Sequence, residues 1–223
     1  MNMKKKILTA ALVAGMGCLT ILPLTTEAEA TAVLQEPVFV EVLPAEPEPA
    51  DVTEEPVLEE VEAEASQPDC REGFAAYITS VNHTVTEKDA LVMADSILEA
   101  AEDHDVDENL LLAIAHTEST YYSDAVSSAD CKGLMQTGDA LAEEAGYSPD
   151  ALFDPEVSIA VGADYISDQL DTFDQDVELA LTAYNQGPGA VYSGTYDTAY
   201  AELTLNRVQN IENFLSAGGY VQE

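Results

Sequence analysis

Positive charge is what this chain has least of. It carries 7 Lys and Arg against 43 Asp and Glu, a formal net charge of −36. Three of those cations sit in the opening Lys4-Lys5-Lys6 run. Beyond it remain only Arg71, Lys88, Lys132 and Arg207. A surface of this sign repels phosphate backbones and anionic bilayers, so nucleic acid and membrane surfaces are excluded as partners. Histidine is equally sparse. His83, His104 and His116 show no ligand spacing, and His116-x-Glu118 alone reads as helix surface beside a carboxylate, so no metal and no cofactor is expected. No Ser or Cys stands on a strand-to-helix elbow, which leaves a nucleophile triad unsupported. Strand signals are weak throughout, and no repeat period is visible.

What is present divides the chain in three. Residues 1–30 have the layout of an export signal: a Lys-rich start, an apolar stretch, and Ala28 and Ala30 in the small-residue cleavage pattern. Cleavage after Ala30 is expected. An uncleaved membrane anchor is the alternative, because the uncharged run over 7–24 is just long enough to span. A lipoprotein reading at Cys18 lacks the expected Leu three residues upstream. Residues 31–68 mix Glu, Pro, Val and Ala with no Lys, Arg or Gly. Repeated Pro and like charge predict a disordered acidic linker. Residues 69–223 have the length of one domain.

That domain reads mostly α. Leu91, Ala94, Ile97, Leu98 and Ala101 predict a helix over 87–103, opened by a capping box from Thr84 to Glu87. Asp107 predicts the N-cap of a second helix ending near Glu118. A short helix is expected over 139–145. Asp154-Pro155 reads as N-cap plus Pro at the first helical position, followed by Ile159, Ala163, Ile166 and Leu170 on one stripe. Further helices are expected over 176–184, stopped by Gly-Pro-Gly, and over 197–215. The segment 73–81 reads equally as helix or strand.

One residue disturbs this pattern. Leu111, Ile114, Ala115 and Glu118 fall at i, i+3, i+4 and i+7, so a carboxylate shares the apolar face of its helix. Burial disfavours the charged form and raises the pKa. With cations so scarce, a structural ion pair is handicapped. A general acid kept protonated near neutral pH is the sharper reading.

The residues that follow place this glutamate in company. Glu118-Ser119 closes a helix; Ala125-Val126-Ser127 follows; then Gly133-Leu134-Met135-Gln136; then the Asp154-Pro155 helix start; then Ala-Tyr-Asn-Gln-Gly-Pro-Gly over 183–189; and last a helix bearing Tyr200. In this order and at these distances the motifs resemble the lytic transglycosylases, lysozyme-like enzymes that cut bacterial peptidoglycan. The resemblance covers about 88–207. It implies a lysozyme-like helical fold and a single catalytic acid and base, Glu118. It implies that Ser119 orients Glu118, that Met135 and Gln136 line the cleft, and that Tyr184, Asn185 and Tyr200 surround the cleaved linkage. It further implies peptidoglycan strands as partner, a non-hydrolytic cut between N-acetylmuramic acid and N-acetylglucosamine, and a 1,6-anhydro product. The chain departs from the family pattern at Asp130-Cys131, at Asp139 and Leu141, and at Ser158, all beside the cleft loop. A hydrolytic muramidase of the same fold, or a silent wall-binding domain, are the competing readings. The expected protein is exported, wall-associated, monomeric, and without stable membrane insertion after signal cleavage. Cys18 leaves with the signal, so Cys70 and Cys131 form a candidate disulfide, worth roughly 4 kcal/mol on the chain-entropy model.

Overall fold

The computed structural model describes residues 69–220 of the 223-residue chain. The expected signal and linker, residues 1–68, lie outside the described residues. Eight α-helices and one 3-10 turn are found among the described residues, and the strand-like features there are isolated bridges, Val126 with Lys132 and Lys132 with Thr137. The mostly α expectation holds for this part. No described helix is long and apolar enough to cross a membrane.

Helix α1, Cys70–Val81, settles the segment that read either way. The Asp69 side chain accepts from the Glu72 backbone N–H and nucleates the first turn. Phe74, Tyr77 and Ile78 then fall on one buried face. Helix α2, Glu87–His104, runs as expected, but its N-cap is Thr86 and not Thr84. Thr86 Oγ1 accepts from Asp89 N–H at 3.2 Å, whereas the Thr84 hydroxyl is spent on Asn82 Oδ1 at 2.6 Å. The buried stripe is Ala90, Met93, Ala94, Ile97, Ala100 and Ala101; Leu91 and Leu98 pack at its margin.

Helix α3, Glu108–Ser119, starts at the Asp107 cap. Six consecutive residues, Leu110, Leu111, Leu112, Ala113, Ile114 and Ala115, are all buried. A helix apolar on every side belongs in the middle of a core, not on its surface. α3 is accordingly packed by α8 along much of its length, and by α2 and α5. Around it α1 lies on α2, α2 on α5, α5 on α6 and α6 on α8.

The connecting elements follow their caps. Helix α4 is Asp139–Glu144, and the 3-10 turn is Pro149–Phe153. They cover a small satellite core of Ala142, Leu152 and Val161. Helix α5, Pro155–Thr172, has the expected Asp154 cap and Pro at its start. Helix α6, Val177–Gln186, outlasts the expected stop by two residues. The Gly-Pro-Gly element then does more than end a helix: Pro188 opens a further short one, α7, Pro188–Ser193, because its fixed φ suits a first helical position. Helix α8 is Ala199–Gly218.

The expected Cys70–Cys131 disulfide is not formed. Cys70 Sγ instead donates to the Tyr220 carbonyl, 3.6 Å away, at the C-terminal end of α8. Cys131 lies in the loop before Gly133, where its N–H donates to Ser127 Oγ. The fold assigns the two thiols to different neighbourhoods.

Candidate active site

Glu118 occupies the last turn of α3. Immediately after it the chain reverses. Thr120 and Tyr121 both adopt left-handed backbone, with φ of 52° and 62°. For two successive residues with side chains this conformation is uncommon and has to be held by surroundings. Two contacts hold it. Asn82 Nδ2 donates to the Thr120 carbonyl at 3.0 Å, and Tyr121 O–H donates to the Leu112 carbonyl at 3.0 Å. The glutamate is thereby left at the end of a buried helix, itself only 9% exposed.

Tyr200, from the first turn of α8, donates its O–H to Glu118 Oε1 at 2.6 Å. Its ring stacks on that of Tyr184 from α6, with centroids 6.5 Å apart and planes 10° apart. Tyr165 of α5 backs Tyr184 at 5.1 Å. Burial pushes the Glu118 carboxyl up to about 7, while the Tyr200 hydrogen bond and the positive charge of Arg207 pull the other way. Burial, aided by the charge of Glu118, raises both Tyr184 and Tyr200, so both phenols stay protonated donors. Among the described residues the side-chain hydrogen bond to Glu118 comes from Tyr200 and not from a second carboxyl group.

The structure brings the predicted residues together but redistributes their tasks. Ser119 does not orient Glu118. Its hydroxyl donates back to the Ala115 carbonyl at 3.1 Å, the ordinary outlet for a buried serine on a helix. The Met135 side chain does not line the cleft either. It is fully buried against Gly162, where even a Cβ would come within 2.6 Å of it. Its carbonyl accepts from Tyr184 O–H at 2.8 Å, so that hydroxyl is committed to the loop. Gln136 spends its side-chain N–H donors on the carbonyls of Ala125 and Gly133, at 3.0 and 2.9 Å, and braces the loop from inside. Asn185, half-buried beside Tyr184, makes no side-chain hydrogen bond among the described residues and is the uncommitted amide of the group.

Several contributors were missed by sequence reasoning. Ser158 Oγ accepts from the Met135 N–H at 3.1 Å and is a fully buried acceptor for the loop. Thr204 of α8 meets Thr117 of α3 at 3.2 Å. Asn82 and Tyr121 hold the reversal, and Arg207 acts on Glu118 through its charge. A cavity of about 740 Å³, walled in part by Asn82, Asp89, Tyr121, Tyr122, Asp124 and Glu156, opens beside the reversal; Glu118 is not one of its walls.

A carboxyl held protonated near neutrality and touched by a phenol donor can give a proton and then take one. Residues 95–201, which contain this constellation, match the family model described as the transglycosylase SLT domain. Over this segment the chain is similar to the transglycosylase SLT domains. The chain is similar to membrane-bound lytic murein transglycosylase C of Edwardsiella ictaluri, with 34% identity over 113 residues, 44% of this chain and 32% of the relative. It is also similar to membrane-bound lytic murein transglycosylase F 1 of Alkalilimnicola ehrlichii, with 39% identity over 97 residues, 41% of this chain and 19% of the relative. The matched part thus spans a third or less of these relatives. Among solved structures it is similar to the 70 kDa soluble lytic transglycosylase of Escherichia coli, at 23% identity and a TM-score of 0.45, covering 66% of this chain and 28% of that one. Glu118, Met135, Gln136, Tyr184, Asn185 and Tyr200 all fall inside the matched segment, and Arg207 falls just beyond it.

Proposed function

We propose that the chain is an exported enzyme that cleaves the glycan strands of peptidoglycan between N-acetylmuramic acid and N-acetylglucosamine without consuming water. The observation that carries this reading is the solitary Glu118: buried, raised to about 7, and bonded to a phenol rather than paired with a second carboxylate. Hydrolytic glycosidases ordinarily divide the work between two carboxyls. Here one group does both halves. Protonated Glu118 gives its proton to the glycosidic oxygen as the bond from that oxygen to the muramoyl C1 breaks. The resulting carboxylate removes the proton from the muramoyl C6 hydroxyl, whose oxygen bonds to C1. A 1,6-anhydro sugar leaves and Glu118 is protonated again. Tyr200 keeps a hydrogen bond on the carboxylate through the exchange, and the Asn185 amide is available to a polar sugar edge. The match of residues 95–201 to the SLT domain model supports the reading.

The test is digestion of purified peptidoglycan by wild type and by Glu118→Gln, with the muropeptides weighed. Anhydro products from wild type and none from the variant are expected. Products heavier by one water establish a muramidase instead, and no release by wild type establishes a silent wall-binding domain. Export is tested by N-terminal sequencing of the secreted protein, expected to begin at Thr31.

A further inference from the structure

Arg207 is a cation in an unusual position. Among the described residues Arg71 pairs with Asp95, Lys132 pairs with Asp139, and Lys88 is exposed. Arg207 is half-buried, has no carboxylate partner among the described residues, and its Nη1 is fully buried without a hydrogen bond. Leaving a guanidinium donor unsatisfied in the interior is costly, so its retention there calls for a reason.

Its place on α8 supplies one. Tyr200, Thr204 and Arg207 fall at i, i+4 and i+7 and share a face. The first bonds Glu118, and the second, fully buried, meets Thr117, the residue just before Glu118. This face therefore lies along the end of α3, and Arg207 continues it one turn further, roughly 10 Å along the axis from Tyr200. Helical side chains lean toward the N-terminus of their helix, and from Arg207 that is the direction in which Tyr200 and Glu118 lie.

The surroundings are all neutral or negative. The groups that act on the Arg207 charge are Tyr77 of α1, Tyr121 of the reversal, Tyr200 of α8 itself and Glu118 of α3. His116, two residues before Glu118 on α3, is held down to about 4 by burial and then by Arg207, and its Nδ1 lies 3.0 Å from Tyr77 O–H. It is neutral at working pH and adds no charge. From α6, Tyr184 faces Glu118 as a protonated phenol. Arg207 is the positive charge that acts on the carboxylate.

We propose that Arg207 is a positioning residue for the second half of the reaction: from beneath the tyrosine shell its charge steadies ionised Glu118, so that a carboxyl buried enough to be an acid can also serve as the base. This rests on the proposed function, and its test separates the two. Glu118 is followed directly by carbon-13 NMR of the labelled carboxyl, assigned with Glu118→Gln, in the full-length protein without substrate. In Arg207→Met the midpoint of its titration is expected to rise by roughly half a pH unit or more. The alkaline limb of kcat should move with it, and Arg207→Lys should restore both. Arg207→Gln, which keeps a donor without the charge, replaces the Met variant if that one does not fold. An unchanged midpoint in a folded neutral variant overturns the proposal, as does a Lys variant that shifts as far as the neutral one. The NMR measurement needs no turnover, so a wild type that releases no product sinks the functional reading and leaves this result readable.

Discussion

At Glu118, protonation sets both activity and stability. Cleavage needs the acid form first, so activity should fall as pH rises through about 7, the value to which burial lifts the carboxyl. Tyr200→Phe removes the donor that favours the carboxylate. The loss of a hydrogen bond to a charged group, roughly 1.5–3 kcal/mol, should raise that midpoint by about a unit or more and slow the step that needs the base. A pH–rate profile with the same alkaline limb in both proteins would refute this. Stability carries the opposite sign from the usual carboxylate. The folded form holds its proton above the ordinary value of 4.5, so stability is greatest below that value and falls as pH rises from there through about 7. Glu118→Gln should therefore match wild type in denaturant midpoint near pH 4 and exceed it near pH 9, by an amount on the order of 3 kcal/mol. Much of this was legible from spacing: a carboxylate at i+7 on a greasy stripe. The tasks of Ser119, Met135, Gln136 and Tyr184 were not. The partners of Ser119, Gln136 and Tyr184 are backbone carbonyls, the one for Tyr184 lying 49 residues earlier in the chain, and Met135 packs on Gly162 of another helix. Periodicity reports which face a side chain is on, not which carbonyl waits there.

Helices were read best where a cap announced them. Asp107 and Asp154 each accept from a backbone N–H of the first turn, as their positions implied, and Asp176, expected as the first helical residue, caps its helix in the same way. Misreadings occurred where two cap candidates competed, Thr84 against Thr86, and where one Pro followed a stop closely enough to start again, giving α7. The cleft loop was legible only as a motif. Its physical requirement emerges at Gly133, which has φ of 74° and stands so close to the Leu152 carbonyl that a Cβ would lie 1.8 Å from that oxygen. Gly133 N–H also donates to the Ala125 carbonyl at 3.0 Å, which ties the loop down on its other side. Gly133→Ala should cost more than about 2 kcal/mol, from left-handed strain and overpacking together, and should lower the melting temperature. A melting curve equal to that of wild type would show that the loop relaxes freely.

Across the whole molecule the excess of negative charge opposes compaction without choosing a fold. Raising salt from roughly 0.01 M to 1 M shortens the Debye length from about 30 Å to about 3 Å, so the protein should melt at higher temperature in the saltier buffer. A fall in melting temperature would assign the balance to ion pairs such as Arg71–Asp95 instead. The mostly α architecture was legible at this scale because each amphipathic stripe states its own period. The order of packing was not, and it is the enclosure of α3 that matters most. Local opening follows exposure and sparse packing, while a segment surrounded on every side opens only when everything does. The amide hydrogens of Leu111 to Ala115 should thus be the last to exchange with deuterated solvent, on the timescale of global unfolding, while those of the α7 turn exchange early. The proton-carrying residue is mounted on the slowest clock in the protein. Gradual heating should then leave full activity until the cooperative transition and remove it there, with no earlier loosening of the acid.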